Sequence, residues 1–160
     1  MSRENAYDVD VRGLDEFSAR DLYALLKLRV DVFVVEQECP YPELDGKDAL
    51  ALHLRLLDGG VVIAAARLFA PDELNGEARI GRVVVAPTHR GKRLGEAVMS
   101  EALTVCETRF PGHPIALAAQ SHLQKFYLSF GFEVVSDEYL EDDIPHVDML
   151  RHAPGQPKAN

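Results

Sequence analysis

Ile80 to Glu96, reading IGRVVVAPTHRGKRLGE, is the stretch that most narrows what this chain can become. An alternating run that turns wholly apolar at Val83 to Val85 predicts a strand, Pro87-Thr88 predicts a turn, and the basic, glycine-containing segment beyond opens a long helix. The first N–H groups of such a helix have no partner within it. Those amides and the positive end of the helix dipole point the same way, and Arg90, Lys92 and Arg93 add full charges. The junction therefore predicts an anion site suited to a phosphate group.

The remaining chain bounds the setting. A length of 160 residues predicts one domain over 1–152, followed by a short disordered tail, APGQPKAN, over 153–160. Hydrophobic residues make up 47% and charged residues 27%, which predicts a folded core. No run approaches a membrane span and the start, MSRENAYDVD, has no apolar signal core, so a cytoplasmic protein without a membrane partner is expected. The net charge of -9 argues against nucleic acid, whose phosphates would be repelled. Cys39 and Cys106 are too few for a disulfide framework and lack metal-ligand spacing, so they read as buried or free thiols and no metal is expected.

Along the chain, Tyr7 to Arg12 alternates as a first strand. Ser18 followed by Asp21 resembles a capping box, and the apolar spacing from Leu22 to Phe33 predicts a helix over about Ser18 to Phe33. Arg29 falls inside its apolar stripe, so it needs a carboxylate or carbonyl partner, whether as a structural ion pair or in shaping a site. Val34 to Asp48 reads as a loop carrying Glu36, Glu38, Glu43, Asp45 and Asp48, either an acidic pocket or a solvated acidic surface. His53 to Val85 reads as a three-strand meander, turning at Asp58-Gly59-Gly60 and at Pro71 to Gly76. His53, at a strand entrance, is either a base or a structural histidine. A helix from about Gly91 to Phe110 puts Leu94, Val98, Met99, Ala102, Leu103 and Cys106 on one half. Ile115 to Ala119 is a buried strand and Ser121 to Phe130 a helix with Gly131 at its C-cap. Phe132 to Val135 is a strand, Ser136 to Asp143 an acidic turn, and Val147 to Leu150 the closing strand.

This order of elements carries two separated motifs. Arg90-Gly91-Lys92-Arg93-Leu94-Gly95 after VVV is similar to the Q/R-x-x-G-x-G/A loop of the GNAT acetyltransferase superfamily, and Phe126-Tyr127-Leu128-Ser129-Phe130-Gly131-Phe132 to its FYxxxGF segment. The segment Arg29 to Asp48, with His53, EDDIPH and AQSHLQKFY, resembles the ElaA-type subgroup and extends the likeness across almost the whole chain. A fainter likeness to acyl-homoserine-lactone synthases runs through Arg29, Val32-Phe33 and Glu36-Gln37. The resemblance implies an α/β fold of mixed α+β type, with a central, mostly antiparallel mixed sheet flanked by helices.

It also implies an acyltransferase: an acetyl-CoA-dependent N-acetyltransferase that moves the acetyl group directly to a small-molecule or protein amine. A coenzyme-A-binding regulatory domain and a longer acyl donor are the alternatives, and a homodimer stays open. By the same resemblance Val83, Val84 and Val85 hold the pantetheine arm, with backbone N–H toward the thioester carbonyl. Arg90, Gly91, Lys92, Arg93, Leu94, Gly95 and Glu96 hold the pyrophosphate, and Gln120 contacts the cofactor. Tyr127 protonates the departing thiolate, or else is a core aromatic at helical spacing. Arg93 stands where the family has its middle glycine, so its side chain must point away or itself take a phosphate, and the ElaA-type subgroup tolerates a basic residue there. Glu36 is the first candidate for the base, with His53 and His146 behind it. Arg29, Phe33, Gln37 and Arg82 complete the expected acceptor site, where Arg82 and Arg29 can also orient a carboxylate.

Overall fold

In a computed structural model that describes residues 7–72 and 76–153, the alternating start of the chain becomes β1 (Asp8–Gly13). The strand pairs antiparallel with β2 (Leu52–Asp58), which pairs with β3 (Val61–Phe69) across Gly59-Gly60. Both glycines have positive φ, 56° and 86°, as a two-residue hairpin turn matching strand twist requires. Two compact units divide the chain: residues 1–68 with 82–103, and 69–81 with 104–160. Strand β4 (Ala78–Val85) and helix α2 (Leu94–Arg109) contribute residues to both.

In the first unit α1 (Ala19–Val30) begins where Ser18 Oγ accepts from the Asp21 N–H at 3.1 Å. The helix does not run on regularly to Phe33. At Asp31 it widens into a π-helical turn, Asp31–Glu36, in which the N–H groups of Gln37 and Cys39 reach back five residues to Val32 and Val34. The expected loop therefore begins only after Glu36. Leu25, Leu28 and Val32 pack with Ala65, Val84 and Ala86, and Phe17, Phe33 and Val62 close over them.

In the second unit the first half of β4 pairs parallel with β5 (Ile115–Gln120), Ala78 opposite Ile115. Strand β5 pairs antiparallel with β8 (Ile144–Arg151), and both β6 (Glu133–Val134) and β7 (Tyr139–Glu141) pair with β8. The sequence reading missed β7. Its acidic composition masked the alternation, and Asp142-Asp143, at φ 52° and 62°, make the hairpin turn from it into β8. Strand β8 accordingly starts at Ile144 rather than Val147. The helix expected over Ser121 to Phe130 contracts to a 3₁₀ turn, Ser121–Leu123, and a short α3 (Gln124–Leu128). Gly131, at φ 89°, ends it, with the Phe132 N–H returning to the Tyr127 carbonyl at 3.3 Å. Together the eight strands form a mixed sheet flanked by helices. Among the described residues no helix is long and apolar enough to cross a membrane. Residues 73–75 of the Pro71 to Gly76 turn, and 154–160 of the tail, lie outside the described residues.

The segment after the π-turn is fixed by charge. Arg29 is 1% exposed; its Nε donates to Glu43 at 2.7 Å and its Nη1 to Asp48 at 2.8 Å. Arg67 of β3 donates to Asp45 through both Nη atoms at 2.9 Å and to Asp48 at 3.2 Å. Arg82 of β4 donates from Nε to the same Glu43 oxygen at 2.8 Å. Three guanidinium groups thus meet three carboxylates. The Arg67 hydrogen bonds hold the Asp45 carboxyl far below the ordinary range. Burial pushes the Asp48 carboxyl up, but Arg29 and Arg67 together outweigh it and hold it below its usual value.

Carboxyls lowered in the folded state contribute stability that is complete above their unfolded values and lost as pH falls through the folded ones. Urea unfolding should therefore give a level plateau from neutral pH to about 5 and a decline below about 4. Arg29→Ala should cost about 3 kcal/mol at pH 7 and flatten that decline. The loss falls at the low end for a broken buried pair because Glu43 keeps Arg82 and Asp48 keeps Arg67.

Candidate active site

The basic junction folds in the first unit as the sequence suggests, with a later helix start. After β4 the Ala86 N–H bonds to the Ile63 carbonyl at 2.8 Å, and Pro87–His89 make a 3₁₀ turn. His89 is steadied by Thr88 Oγ1 at 2.8 Å and Asp58 at 3.2 Å. Helix α2 starts at Leu94, not Gly91, because Gly91 and Arg93 both have positive φ, 82° and 57°. Arg93 thus keeps the backbone conformation that a glycine would take there. Its carbonyl accepts the first helical bond, from the Ala97 N–H at 3.1 Å, which makes it the N-cap. An arginine side chain has no acceptor, so it cannot satisfy the open N–H groups of the first turn as Ser or Asp would. Leu94, Val98 and Met99 anchor the helix by burial, while Arg90, Gly91, Lys92 and Arg93 lie toward solvent. An open amide cradle ringed by cations is what a phosphate or pyrophosphate needs.

Glu36, at the end of the π-turn, meets Arg90 of this loop. The guanidinium engages both carboxylate oxygens, with Arg90 Nη2 at 2.8 Å from Oε2. These hydrogen bonds hold the Glu36 carboxyl below its ordinary value and raise the Arg90 guanidinium. A carboxylate held this way is a weaker base than a free one. The residue expected as the base and one expected on the pyrophosphate are thus each other's partners here.

The two alternatives for the loop, an acidic pocket or a solvated acidic surface, both give way to ion pairing at Glu43 to Asp48. Glu43, Asp45 and Asp48 are each matched by an arginine, and Arg29, expected near the acceptor, is a buried structural ion pair. His53 is 2% exposed, donates from Nε2 to the Asp48 carbonyl at 2.9 Å and meets Phe17 edge-on at 5.9 Å. Burial pushes its pKa down, so it is a packed neutral ring rather than a base open to a ligand. Phe33 is half-buried against the first unit's core, and Gln37 is exposed beyond the π-turn. Val83 and Val85 are half-buried and Val84 buried in β4, just after Arg82, whose φ of 51° kinks the strand. The sequence reading missed Arg67; a lone arginine in the otherwise apolar run VVIAAARLF was the signal that a buried carboxylate awaited it.

In the second unit Gln120 ends β5 and lies opposite His146 of β8. His146 donates from Nδ1 to the Ile144 carbonyl at 2.7 Å, has Nε2 3.4 Å from Glu141, and stacks on Tyr139 with centroids 6.2 Å apart. Tyr127 of α3 is 7% exposed, edge-on to Phe126 at 5.1 Å and to Phe132 at 6.2 Å. Burial pushes its hydroxyl up to about 12, and no described residue accepts a hydrogen bond from it. It is both a core aromatic and a firmly protonated donor. A separate cavity of about 270 Å³, lined by Cys106, Glu107, Phe110, His113 and Arg151 among others, holds none of the expected site residues. Burial pushes the Cys106 thiol up to about 11, which removes it as a nucleophile.

Comparison with known proteins agrees with the two motifs. Residues 32–152 match the family described as acetyltransferase (GNAT) domain. Protein ElaA of Escherichia coli is 44% identical over 138 residues, 85% of this chain and 90% of that protein. Its crystal structure superposes with a TM-score of 0.85, covering 91% of this chain and 99% of that one. A structure described as an acyl-CoA N-acyltransferase from Pseudomonas aeruginosa gives the same TM-score and coverage at 42% identity. A CoA-dependent acyl-homoserine lactone synthase, BjaI, shares the fold at 16% identity, with a TM-score of 0.76 over 93% of this chain and 84% of that one. The chain belongs to the GNAT acetyltransferase family and is an acyltransferase.

Glycine or asparagine at position 93 should leave stability within about 0.5 kcal/mol, because both accept the left-handed conformation. Arg93→Val should cost about 1 to 2 kcal/mol, a β-branched residue being strained there. Thermal unfolding of the three variants checks the ranking.

Proposed function

We propose that this acyltransferase is an acetyl-CoA-dependent N-acetyltransferase that moves the acetyl group directly from the thioester to an amine. The observation that carries the reading is the helix α2 cradle, where a non-glycine N-cap keeps the glycine-like backbone and leaves the first-turn amides open. The residues present fit a pyrophosphate: amides of the first turn of α2 with the exposed side chains of Arg93 and Lys92 at hand. Acetyl-CoA supplies the activated acyl group and a thiolate leaving group.

The chain's residues then divide the work. Backbone N–H groups of Val83 to Val85, beyond the kink at Arg82, suit the thioester carbonyl as it becomes anionic. The neutral amine attacks the carbonyl carbon, the C–N bond forms, and the C–S bond breaks. By its place in the FYxxxGF segment, Tyr127 is the residue we assign to protonate the departing thiolate. Its hydroxyl, at about 12, lies well above the ~8.5 of an ordinary thiol, so it donates a hydrogen bond and lends its proton only as the acceptor's ammonium gives one up. Gln120, at the end of β5, contributes to cofactor contact.

Tyr127→Phe should lower kcat about 100-fold in a thiol-release assay while acetyl-CoA affinity stays within about threefold, the range of a lost general acid. With the hydroxyl at about 12, kcat of the unmodified enzyme should show no fall from phenol ionisation up to about pH 10. A variant with full turnover would remove Tyr127 from the chemistry. Acyl donors of increasing chain length, run in the same assay, check the acetyl assignment.

A further inference from the structure

Arg82 differs from the other two arginines of the ionic network. Its side chain is 29% exposed, whereas those of Arg29 and Arg67 are 2% and 7% exposed. Its Nε and Nη2 are taken by Glu43, at 2.8 and 3.2 Å, with Asp45 at 3.5 Å from Nη2. Nη1 has no partner among the described residues, so the outer edge of the guanidinium is open. The left-handed backbone at Arg82, rare for an arginine inside a strand, re-aims that side chain as a bulge does.

Charge and position say what such an edge takes. The three arginines and three carboxylates balance, so Glu43 and Asp45 hold Arg82 in one orientation without leaving a negative pocket for a purely cationic ligand. The N–H groups of Nη2 face Glu43 and Asp45, so Nη1 is the donor left, and its charge-assisted N–H matches a carboxylate oxygen. The next residue is Val83, one Cα step of about 3.8 Å along the chain, where the thioester carbonyl is proposed to lie.

We infer that Arg82 reads a carboxylate on the acceptor, so that the amine substrate is an amino acid or a similar amine bearing a carboxylate. The inference rests on the amine-transfer reading above and names its substrate class. Calorimetric titration of the CoA-loaded protein with the twenty common amino acids, β-alanine and 4-aminobutyrate, each against its primary amide, tests it by binding alone. At least one acid should bind tenfold or more tightly than its amide, and Arg82→Gln should shrink that ratio below threefold. Arg82→Lys, which keeps the charge but not the planar guanidinium, should restore part of it and serves if Arg82→Gln does not fold. Amides that bind as tightly as their acids, no binding by any pair, or an Arg82→Gln ratio equal to that of the unmodified protein would overturn the assignment. Thiol release from acetyl-CoA is scored separately on the same pairs. Acids that bind selectively without thiol release would remove the acetyl-transfer reading and leave Arg82 as a carboxylate site.

Discussion

A guanidinium cannot be buried alone, and the placement of Arg29 in the apolar stripe of α1 organises the loop and strands around it in the first unit. It draws Glu43 and Asp48 inward, Asp48 brings Arg67 of β3, and Glu43 brings Arg82 of β4. The carboxylate-rich stretch Glu43 to Asp48 is thereby bound to the helix and to two strands, instead of standing in solvent as an acidic surface. Such a network contributes little net stability compared with a well-packed apolar core. Its value lies in specificity of position: it fixes the loop to α1, to Arg67 of β3 and to Arg82 of β4, and orients Arg82.

The elements with strong periodicity were legible from the residues. The hairpin at Gly59-Gly60, the cap at Ser18 and the apolar face of α2 each arise from local chemistry that tertiary contacts do not override. The misses have physical causes. The π-turn at Asp31–Glu36 keeps helical spacing nearly intact, so apolar periodicity does not distinguish it from an α-helix running on. Strand β7 and its Asp142-Asp143 turn carry charges that read as loop. The short α3 continues an apolar pattern that Gly131 cuts off.

The candidate residues could be read from the sequence, but their pairings could not. Composition shows an acidic loop and a basic loop, and spacing supports an anion cradle at α2. That Glu36 would meet Arg90, and that Glu43, Asp45 and Asp48 would be consumed by arginines, depends on contacts between segments up to 54 residues apart. Those pairings turn the carboxylates of Glu43 to Asp48 from an acidic pocket or surface into a neutral network with Arg82 Nη1 open at its edge. Arg93 is the reverse case. Its departure from the family's glycine is plain in the sequence, and the backbone, at φ 57°, shows that the loop conformation is kept.

The cradle at α2 is tested most directly by titrating the protein with acetyl-CoA and with acetyl-pantetheine, which carries the same thioester without the pyrophosphate. A pyrophosphate site at Arg90 to Glu96 requires the first to bind at least about 100-fold more tightly at low salt, with the gap narrowing as salt screens the loop cations. Equal affinities for the two ligands, unchanged by salt, would contradict it.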